Sequence, residues 1–453
     1  GRGHHLQRAG HGAGAALTPM AISGRVPLLV LLGVLPTIVW PQPLTVIGWV
    51  LLVVILTGLD LLAARRPDQL QLTRELPASV RLTETATSTL TVLNPTGRRA
   101  LVQVRDAWPP SATPAAQRPL LRVNPGSSLR QVTELTPTRR GDLAAAAVTV
   151  RSFGPMRLAA RQRSLNVPGV LRVLPEFRSR SHLPSRLARL RELDGQASVQ
   201  VRGQGTEFDS LREYALGDDV RSIDWRATAR ATRTMVRTWR PERDRHVLMV
   251  LDTSRWAAGR IGGASADQLR LDAGIEVCLL MAALGSASGD RMSLLVADTE
   301  VRQRLAGTAK GSALAAFADR LSLAQAELTE TDWSMVATQV NQLCRQRSLV
   351  VLVTGLDPAL YAEGLGTVLG PLAHSHQVII AHVTDPSEQV LSEENPDADA
   401  AYDAAASGRL WLTTQALSAR VHRMGVEIVH ADPDRIAPAV CDTYLALKAA
   451  GRL

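Results

Sequence analysis

The segment Leu44–Ala64, LTVIGWVLLVVILTGLDLLAA, carries one charge, Asp60, close to its end. At 1.5 Å per residue such a run spans about 30 Å, the apolar thickness of a bilayer, so it is expected to cross a membrane. A second uncharged run, Val26–Trp40, lies just upstream and reaches back to Ala21 if Arg25 snorkels. Pro41-Gln42-Pro43 links the two tightly, so residues 25–66 are expected to form a transmembrane helical hairpin with both ends on one side. Arg8 and Arg25 precede it; Arg65, Arg66 and Arg74 follow it. The positive-inside rule then places the flanks and the rest of the chain in the cytoplasm, as a multi-pass plasma-membrane protein. A signal peptide built on Val26–Trp40 is the alternative, but no small-x-small cleavage site follows Trp40. Residues 1–24 are expected to be disordered, being rich in Gly, His and Ala up to residue 19, and Met20 is a candidate start.

At 453 residues the chain has room for two or three domains, and 45% hydrophobic with 21% charged residues excludes a disordered chain. Cys278, Cys344 and Cys441 form no C-x-x-C pair, which excludes a disulfide framework and suits a reducing compartment. The formal net charge of +9 is nearly all arginine, Lys310 and Lys448 being the only lysines. That bias reads as codon usage, the basic residues are interleaved with acids, and aromatics are only 4%, so no nucleic-acid partner is expected.

From residue 70 to 173 short alternating runs take over, among them Ser88–Leu93, Ala100–Arg105, Leu129–Leu135 and Ala147–Arg151. Asn94-Pro95-Thr96-Gly97, Trp108-Pro109-Pro110, Asn124-Pro125-Gly126-Ser127 and Arg140-Gly141-Asp142 punctuate them as turns. This spacing predicts a small all-β sandwich, without His or Cys, acting as a structural or interaction module.

Residues 174–245 are read as a linker plus a charged block, GQGTEFDSLREYALGDDVRSIDWRATAR from Gly203. Glu207, Asp209, Glu213, Asp218, Asp219 and Asp224 alternate with Arg212, Arg221, Arg226, Arg230 and Arg233 around Phe208, Leu211, Tyr214, Ile223 and Trp225. Arginine meets carboxylates bidentately, so this pattern suits a packed ion-pair network joining two units. It also leaves open a docking or ligand surface, or a hydrolase or nuclease site. Asp218 or Asp219 is a natural N-cap for a short helix over Val220–Asp224. Phe208 stands where the third glycine of a dinucleotide loop belongs, the Gly307–Gly311 run has the wrong spacing for a phosphate loop, and no G-x-S-x-G elbow occurs.

The block resembles the signature of the bacterial domain-of-unknown-function 58 family: a G-x-G-x-E-F segment, then L-R-x-Y, G-D-D-x-R, I-D-W and A-R, all in order here. The resemblance extends over the layout of roughly residues 25–450: membrane helices, a β module, the signature, then a von Willebrand factor A-like domain. It implies no established enzymatic activity and, since such proteins are typically encoded beside MoxR-type AAA+ ATPases, a partner of that kind.

From His246 strands and helices alternate: strands at His246–Asp252, Met292–Ala297, Val301–Leu305, Ser348–Thr354, Gln377–Val383 and Val426–His430, and helices at Ala266–Leu284, Ser312–Ser322, Trp333–Gln346, Ala359–His374, Thr413–Met424 and Asp434–Ala449. This predicts a C-terminal α/β domain over 246–453, a doubly wound, mainly parallel sheet whose ligands sit at the strands' carboxyl ends. Residues 385–408, acidic and Ala-rich, read as an exposed insertion loop. The resemblance implies a metal-ion-dependent adhesion site starting D-x-S-x-S, where hard Mg²⁺ takes carboxylate and hydroxyl oxygens. Asp252 and Ser254 match its first ligands and Thr331, or Thr329, the threonine. Trp256 replaces the third ligand, Gly355 follows the strand-end Thr354, and Asp357 comes two residues late, so a retained pocket without cofactor is expected, with Mg²⁺ as the ion of an intact site. His374, His376 and His382 have no zinc-ligand spacing. The expected function is a membrane-anchored, non-enzymatic interaction or scaffold protein working with a MoxR-type ATPase in complex assembly or envelope homeostasis.

Overall fold

The computed structural model describes residues 20–453 except 115–118, 201–206, 216–217, 232, 241–244, 262–267, 309–310 and 386–397. The chain divides into two units, Gly1–Leu174 and Pro175–Leu453.

The first unit opens with strand β1 (Met20–Ile22), α1 (Arg25–Leu32), α2 (Val34–Val39) and α3 (Pro43–Ala63). β1 pairs antiparallel with a later strand, so residues 20–22 are ordered, contrary to the disordered 1–24 expected; residues 1–19 lie outside the described residues. The 21 residues of α3 rise about 31 Å, and it is the one described helix long and apolar enough to cross a bilayer. The upstream run is not one helix but two short ones broken at Gly33. Gly33 is also a point of close approach: a Cβ there would lie 2.2 Å from the Trp49 ring. The Trp49 indole N–H donates to the Leu29 carbonyl at 3.0 Å, tying α3 to α1.

Ten strands follow: β2 (Gln71–Glu75), β3 (Ser79–Arg81), β4 (Ala86–Leu93), β5 (Ala100–Asp106), β6 (Leu120–Val123), β7 (Ser128–Leu135), β8 (Gly141–Ala144), β9 (Val148–Phe153), β10 (Ala159–Leu165) and β11 (Val170–Leu174). They form three sheets, ordered β1-β10-β9-β5-β6, β2-β4-β7 and β3-β11-β8. Period-two alternation drives this: Leu90 and Val92 of β4, Val102 and Val104 of β5, and Val148 and Val150 of β9 all face one core shared by the first two sheets. Arg74, read from sequence as a membrane-flanking charge, is instead buried in β2 against Asp106, with its guanidinium 5.3 Å from the Trp108 ring centre.

Asp60 sits at the end of α3 and is only 1% exposed. Its Oδ1 accepts the Met156 N–H at 2.8 Å, and its Oδ2 accepts those of Leu158 at 2.7 Å and Ala159 at 3.1 Å. A Cβ on Gly154 would collide with this carboxyl at 2.2 Å, so the β9–β10 turn needs glycine there. The apolar helix is thereby fastened to the β module by three charge-assisted bonds.

In the second unit come α4 (Leu183–Gln200), β12 (Glu207–Glu213), α5 (Trp225–Ala231), β13 (Met235–Arg240), β14 (His246–Asp252), α6 (Arg270–Ala287), β15 (Arg291–Ala297), β16 (Val301–Leu305), α7 (Ala313–Ser322), α8 (Trp333–Leu343), β17 (Leu349–Val353), α9 (Pro358–Leu360), α10 (Gly366–Ser375), β18 (Gln377–Val383), α11 (Ala398–His422), β19 (Glu427–Ala431) and α12 (Pro433–Ala449). Six strands form one sheet in the order β16-β15-β14-β17-β18-β19, parallel except for the antiparallel edge strand β16. Its central strands are continuous buried runs because helices cover both faces: α8 and α10 join the core on one, while α6 and α12 pack together on the other.

Two stretches depart from the sequence reading. Part of the expected linker is packed: the Glu276 carboxylate of α6 accepts the Arg178 and Ser179 N–H groups at 2.9 and 3.0 Å, and Arg186 of α4 pairs with Asp442 of α12 at 2.7 Å. The expected insertion loop continues into helix from Ala398, where alanine-rich composition outweighs the acidic, polar character read as loop; residues 386–397 lie outside the described residues.

Candidate functional site

Asp252 ends β14 and Thr354 follows β17; the parallel register sets Leu251 beside Val353, which brings the two side chains together. Asp252 is 2% exposed. Its Oδ1 accepts the Ser254 N–H at 2.9 Å and the Thr331 hydroxyl at 2.7 Å, and its Oδ2 accepts the Thr354 hydroxyl at 2.6 Å. Thr331 is held in place because Asp332 caps α8, accepting the Met335 N–H at 2.9 Å. Burial pushes the Asp252 carboxyl above the usual carboxylate range, and these three donors oppose it. Thr354 was not among the expected site residues, although a hydroxyl ending a buried run after SLVVLV was the signal for it. Asp357 lies elsewhere, capping α9 by accepting the Leu360 N–H at 2.9 Å.

A hard dication takes about six oxygens and gains most from several carboxylates. This pocket offers one carboxylate and the hydroxyls of Ser254, Thr331 and Thr354, and no group of three His, Cys, Asp or Glu gathers among the described residues. At the two positions where the resemblance leads one to expect further oxygens stand the Trp256 indole and Gly355, so the donor set present fits a dication poorly. The Trp256 ring lies where a Cβ on Gly355 would approach it at 2.5 Å. Next to it, His382 accepts the Leu356 N–H through Nδ1 at 2.9 Å, which puts its proton on Nε2, and meets His430 edge-on at 5.2 Å. Burial, with lesser effects from His430 and Arg270, pulls the His382 imidazole down to about 3, so it is neutral at physiological pH. His376, which follows α10 as its C-cap, is buried, and its ring nitrogens have no partner among the described residues. The three histidines do not assemble a zinc site.

The charged block is a β-hairpin and a short helix. Glu207 and Phe208 lie on β12 opposite Arg240 and Trp239 of β13. Arg212 pairs with Asp218, whose second oxygen accepts the Ala215 N–H at 2.9 Å. Asp219 accepts the Arg221 N–H at 3.0 Å, capping one 3₁₀ turn. Asp224 caps α5 through the Arg226 and Ala227 N–H groups at 3.0 Å and pairs with Arg237 at 2.8 Å. The helix-capping N–H of Ala227, ahead of the Arg237 guanidinium, holds its carboxyl below the usual range. Two expectations fail here. Trp225 is not packed inside a network but 69% exposed. Arg221 and Arg230 are exposed and form no ion pair among the described residues, while Arg237, overlooked in the sequence, takes the partnership with Asp224. Tyr214 is half-buried and its N–H donates to the Thr234 carbonyl at 2.8 Å.

Residues 210–435 match the family described as "Protein of unknown function DUF58". The chain is a member of the DUF58 family. Uncharacterized proteins of Mycobacterium bovis and Mycobacterium tuberculosis (Mb1516 and Rv1480) are each 27% identical over 196 residues, 43% of this DUF58 chain. The match spans 59% of the length of those curated relatives. Among solved structures, a CARDB domain of the PF1109 protein from Pyrococcus furiosus, crystallised in complex with di-metal ions, is 16% identical over 24% of this chain and 94% of its own, with a TM-score of 0.18. A FixG-related protein from Vibrio parahaemolyticus is 12% identical over 23% of this chain and 97% of its own, also at 0.18. Likenesses this low assign neither a fold nor a ligand.

Proposed function

We propose that this DUF58 protein is a membrane-anchored, non-enzymatic interaction protein whose α/β unit is a von Willebrand factor A-like domain with a metal-free carboxylate at its centre. The observation that carries the reading is the closure of Asp252: its two oxygens are engaged by Thr331, Thr354 and the Ser254 N–H, so the carboxylate at the centre of the sheet's carboxyl edge is held as an acceptor rather than presented as a base. The sheet order, with an antiparallel strand on one edge of a parallel core, supports the domain assignment.

The anchor is a return path. β1 is paired into the β module and Asp60 is bonded to its β9–β10 turn, so both ends of residues 23–60 sit on the same side. If α3 crosses the bilayer, the stretch through α1 and α2 brings the chain back across. The flanking Arg25, Arg65 and Arg66 support a cytoplasmic side under the positive-inside rule.

The family resemblance supplies a MoxR-type AAA+ ATPase as partner. Its contact surface on this chain is the signature helix, where exposed Trp225 and Val220, at 69% and 61% exposure, stand among the exposed Arg221, Arg226 and Arg230. Aromatic and arginine side chains of this kind anchor interfaces and suit an acidic, apolar-edged partner. A hydrolase or nuclease is disfavoured by the engagement of Asp218 and Asp224 with arginines and backbone N–H groups. The test is affinity capture of the full chain in mild detergent with a MoxR-type AAA+ ATPase of the same organism. Trp225→Ala with Arg226→Glu and Arg230→Glu should abolish capture while leaving thermal stability unchanged. Undiminished capture, or phosphodiester turnover lost in Asp224→Asn, would overturn the reading.

A further inference from the structure

The β module contains a cleft of about 320 Å³, within the size range of small-ligand sites, lined by Ser23, Gly24, Arg25, Gln103, Leu120, Phe153 and Arg157. We propose that it seats the headgroup of one anionic phospholipid, with the phosphodiester held between the Arg25 and Arg157 guanidinium groups. This rests on the membrane-anchored reading above.

Charge comes first. Two arginines line the cleft and no carboxylate does. Among the described residues, Arg157 has no side-chain partner, and Arg25 gives a single N–H to the Met156 carbonyl at 3.3 Å. Two guanidinium groups sharing a cleft without a counter-charge form a site for an anion, and their planar forks match a phosphate's paired oxygens.

The backbone supplies the second observation. Arg157 holds a left-handed conformation, φ 59°, in the β9–β10 turn. Glycine adopts such a conformation freely, whereas a side chain there is strained and persists only where its surroundings enforce it. The enforcement is visible: Asp60 fixes the N–H groups of Met156 and Leu158 on either side of Arg157. The strained residue is thus presented rigidly into the cleft, by the last turn of the membrane helix itself.

The third is the apolar lining. Phe153 and Leu120 share the cleft with the arginines, and Met156 on the turn and Ile22 on β1 are exposed at 45% and 69%. Arg25 is also the first residue of α1, whose Leu28 and Leu31 are exposed at 66% and 69%. Cation and apolar surface therefore meet at the level where a bilayer's phosphates meet its acyl chains. Free phosphate would use only the arginines; a phospholipid uses both.

The experiment uses the full chain reconstituted in vesicles of phosphatidylcholine alone or with phosphatidylglycerol, then re-extracted in mild detergent, with retained lipid identified by native mass spectrometry. Wild type should keep one phosphatidylglycerol per chain in preference to phosphatidylcholine. Arg25→Gln with Arg157→Gln should lower that retention by about tenfold or more, since each lost bond is to a charged group. Arg157→Gly should also lower it while keeping or raising the melting temperature, which separates loss of the seat from misfolding. Equal retention by all three overturns the proposal. Displacement by millimolar inorganic phosphate overturns the lipid assignment in favour of a free-phosphate site. Flotation with each of the two vesicle types reports separately on anchoring: a chain that floats with neither sinks the anchor, and one that floats with both but shows no lipid preference sinks the seat alone.

Discussion

Removing the Thr331 hydroxyl should damage the α/β unit more than removing the charge it serves. Asp252 is buried, and Thr331→Val deprives its Oδ1 of the donor at 2.7 Å without changing side-chain shape much. A hydrogen bond to a charged group contributes about 1.5–3 kcal/mol, so the loss is about 2 kcal/mol, or about 4–8 °C in Tm for a domain of this size. Thr354→Val should cost about the same, and the double variant less than the sum, because both hydroxyls serve one carboxyl that can take up a proton instead. Asp252→Asn keeps the shape and removes the desolvated charge, so it should change stability by less than about 1 kcal/mol. The pH dependence carries the same logic. Burial raises the Asp252 carboxyl, so the folded state binds its proton more readily than the unfolded chain. The associated stability is complete below the ordinary carboxylate value of 3.8 and is lost as pH rises through the raised one; Asp252→Asn should flatten that decline. The assay is thermal unfolding of the detergent-solubilised chain followed by near-ultraviolet circular dichroism, across pH and with or without Mg²⁺. A wild-type Tm raised by several degrees in millimolar Mg²⁺, with the rise absent in Asp252→Asn, would refute the metal-free account, since a ligand at 100 times its Kd contributes about 2.7 kcal/mol.

Four further outcomes are expected. Asp106→Ala leaves the Arg74 guanidinium buried without its partner and should destabilise the β module by about 3–5 kcal/mol in denaturant unfolding. Asp60→Ala strips three N–H groups of their acceptor and should open the 154–159 turn to limited proteolysis while α3 still partitions into bilayers. Tyr444→Phe removes a hydroxyl that donates to the buried Asp290 and should cost about 1–3 kcal/mol by chemical denaturation. His382, pulled down to about 3 from the ordinary 6.5, lends stability that is complete above 6.5 and is lost as pH falls toward 3, by up to about 1.4 kcal/mol per pH unit; His382→Gln, which can still accept the Leu356 N–H, should flatten that acid limb.

The central strands of the large sheet were legible because burial on both faces writes itself as unbroken apolar runs; His246–Asp252 and Gln377–Val383 have the bounds read from sequence. Asp252, Ser254 and Thr331 were legible as a spacing and do converge on one pocket. Thr354 was not placed in the site, because its role depends on the neighbouring strand's register, which local pattern does not carry. The charged block shows the complementary limit. Composition identifies which residues are able to pair, but not that Arg237, on the return strand of the hairpin, would reach Asp224 while Arg221 and Arg230 turn outward. Arg74 likewise looked like one more charge after a membrane segment until β2 turned it inward on to Asp106 and Trp108.

The contact between Trp256 and Gly355 works as a latch on the pocket's chemistry. Any residue able to add an oxygen at position 355 must place its Cβ 2.5 Å from both the indole and Leu360 Cδ1, so Gly355→Asp alone overcrowds the pocket. Trp256→Ser alone would empty the space that the ring fills against Gly355. Opening this pocket to a further oxygen ligand therefore takes both substitutions together with a shift of Leu360, and a stepwise route passes through a chain that is either overcrowded or hollow.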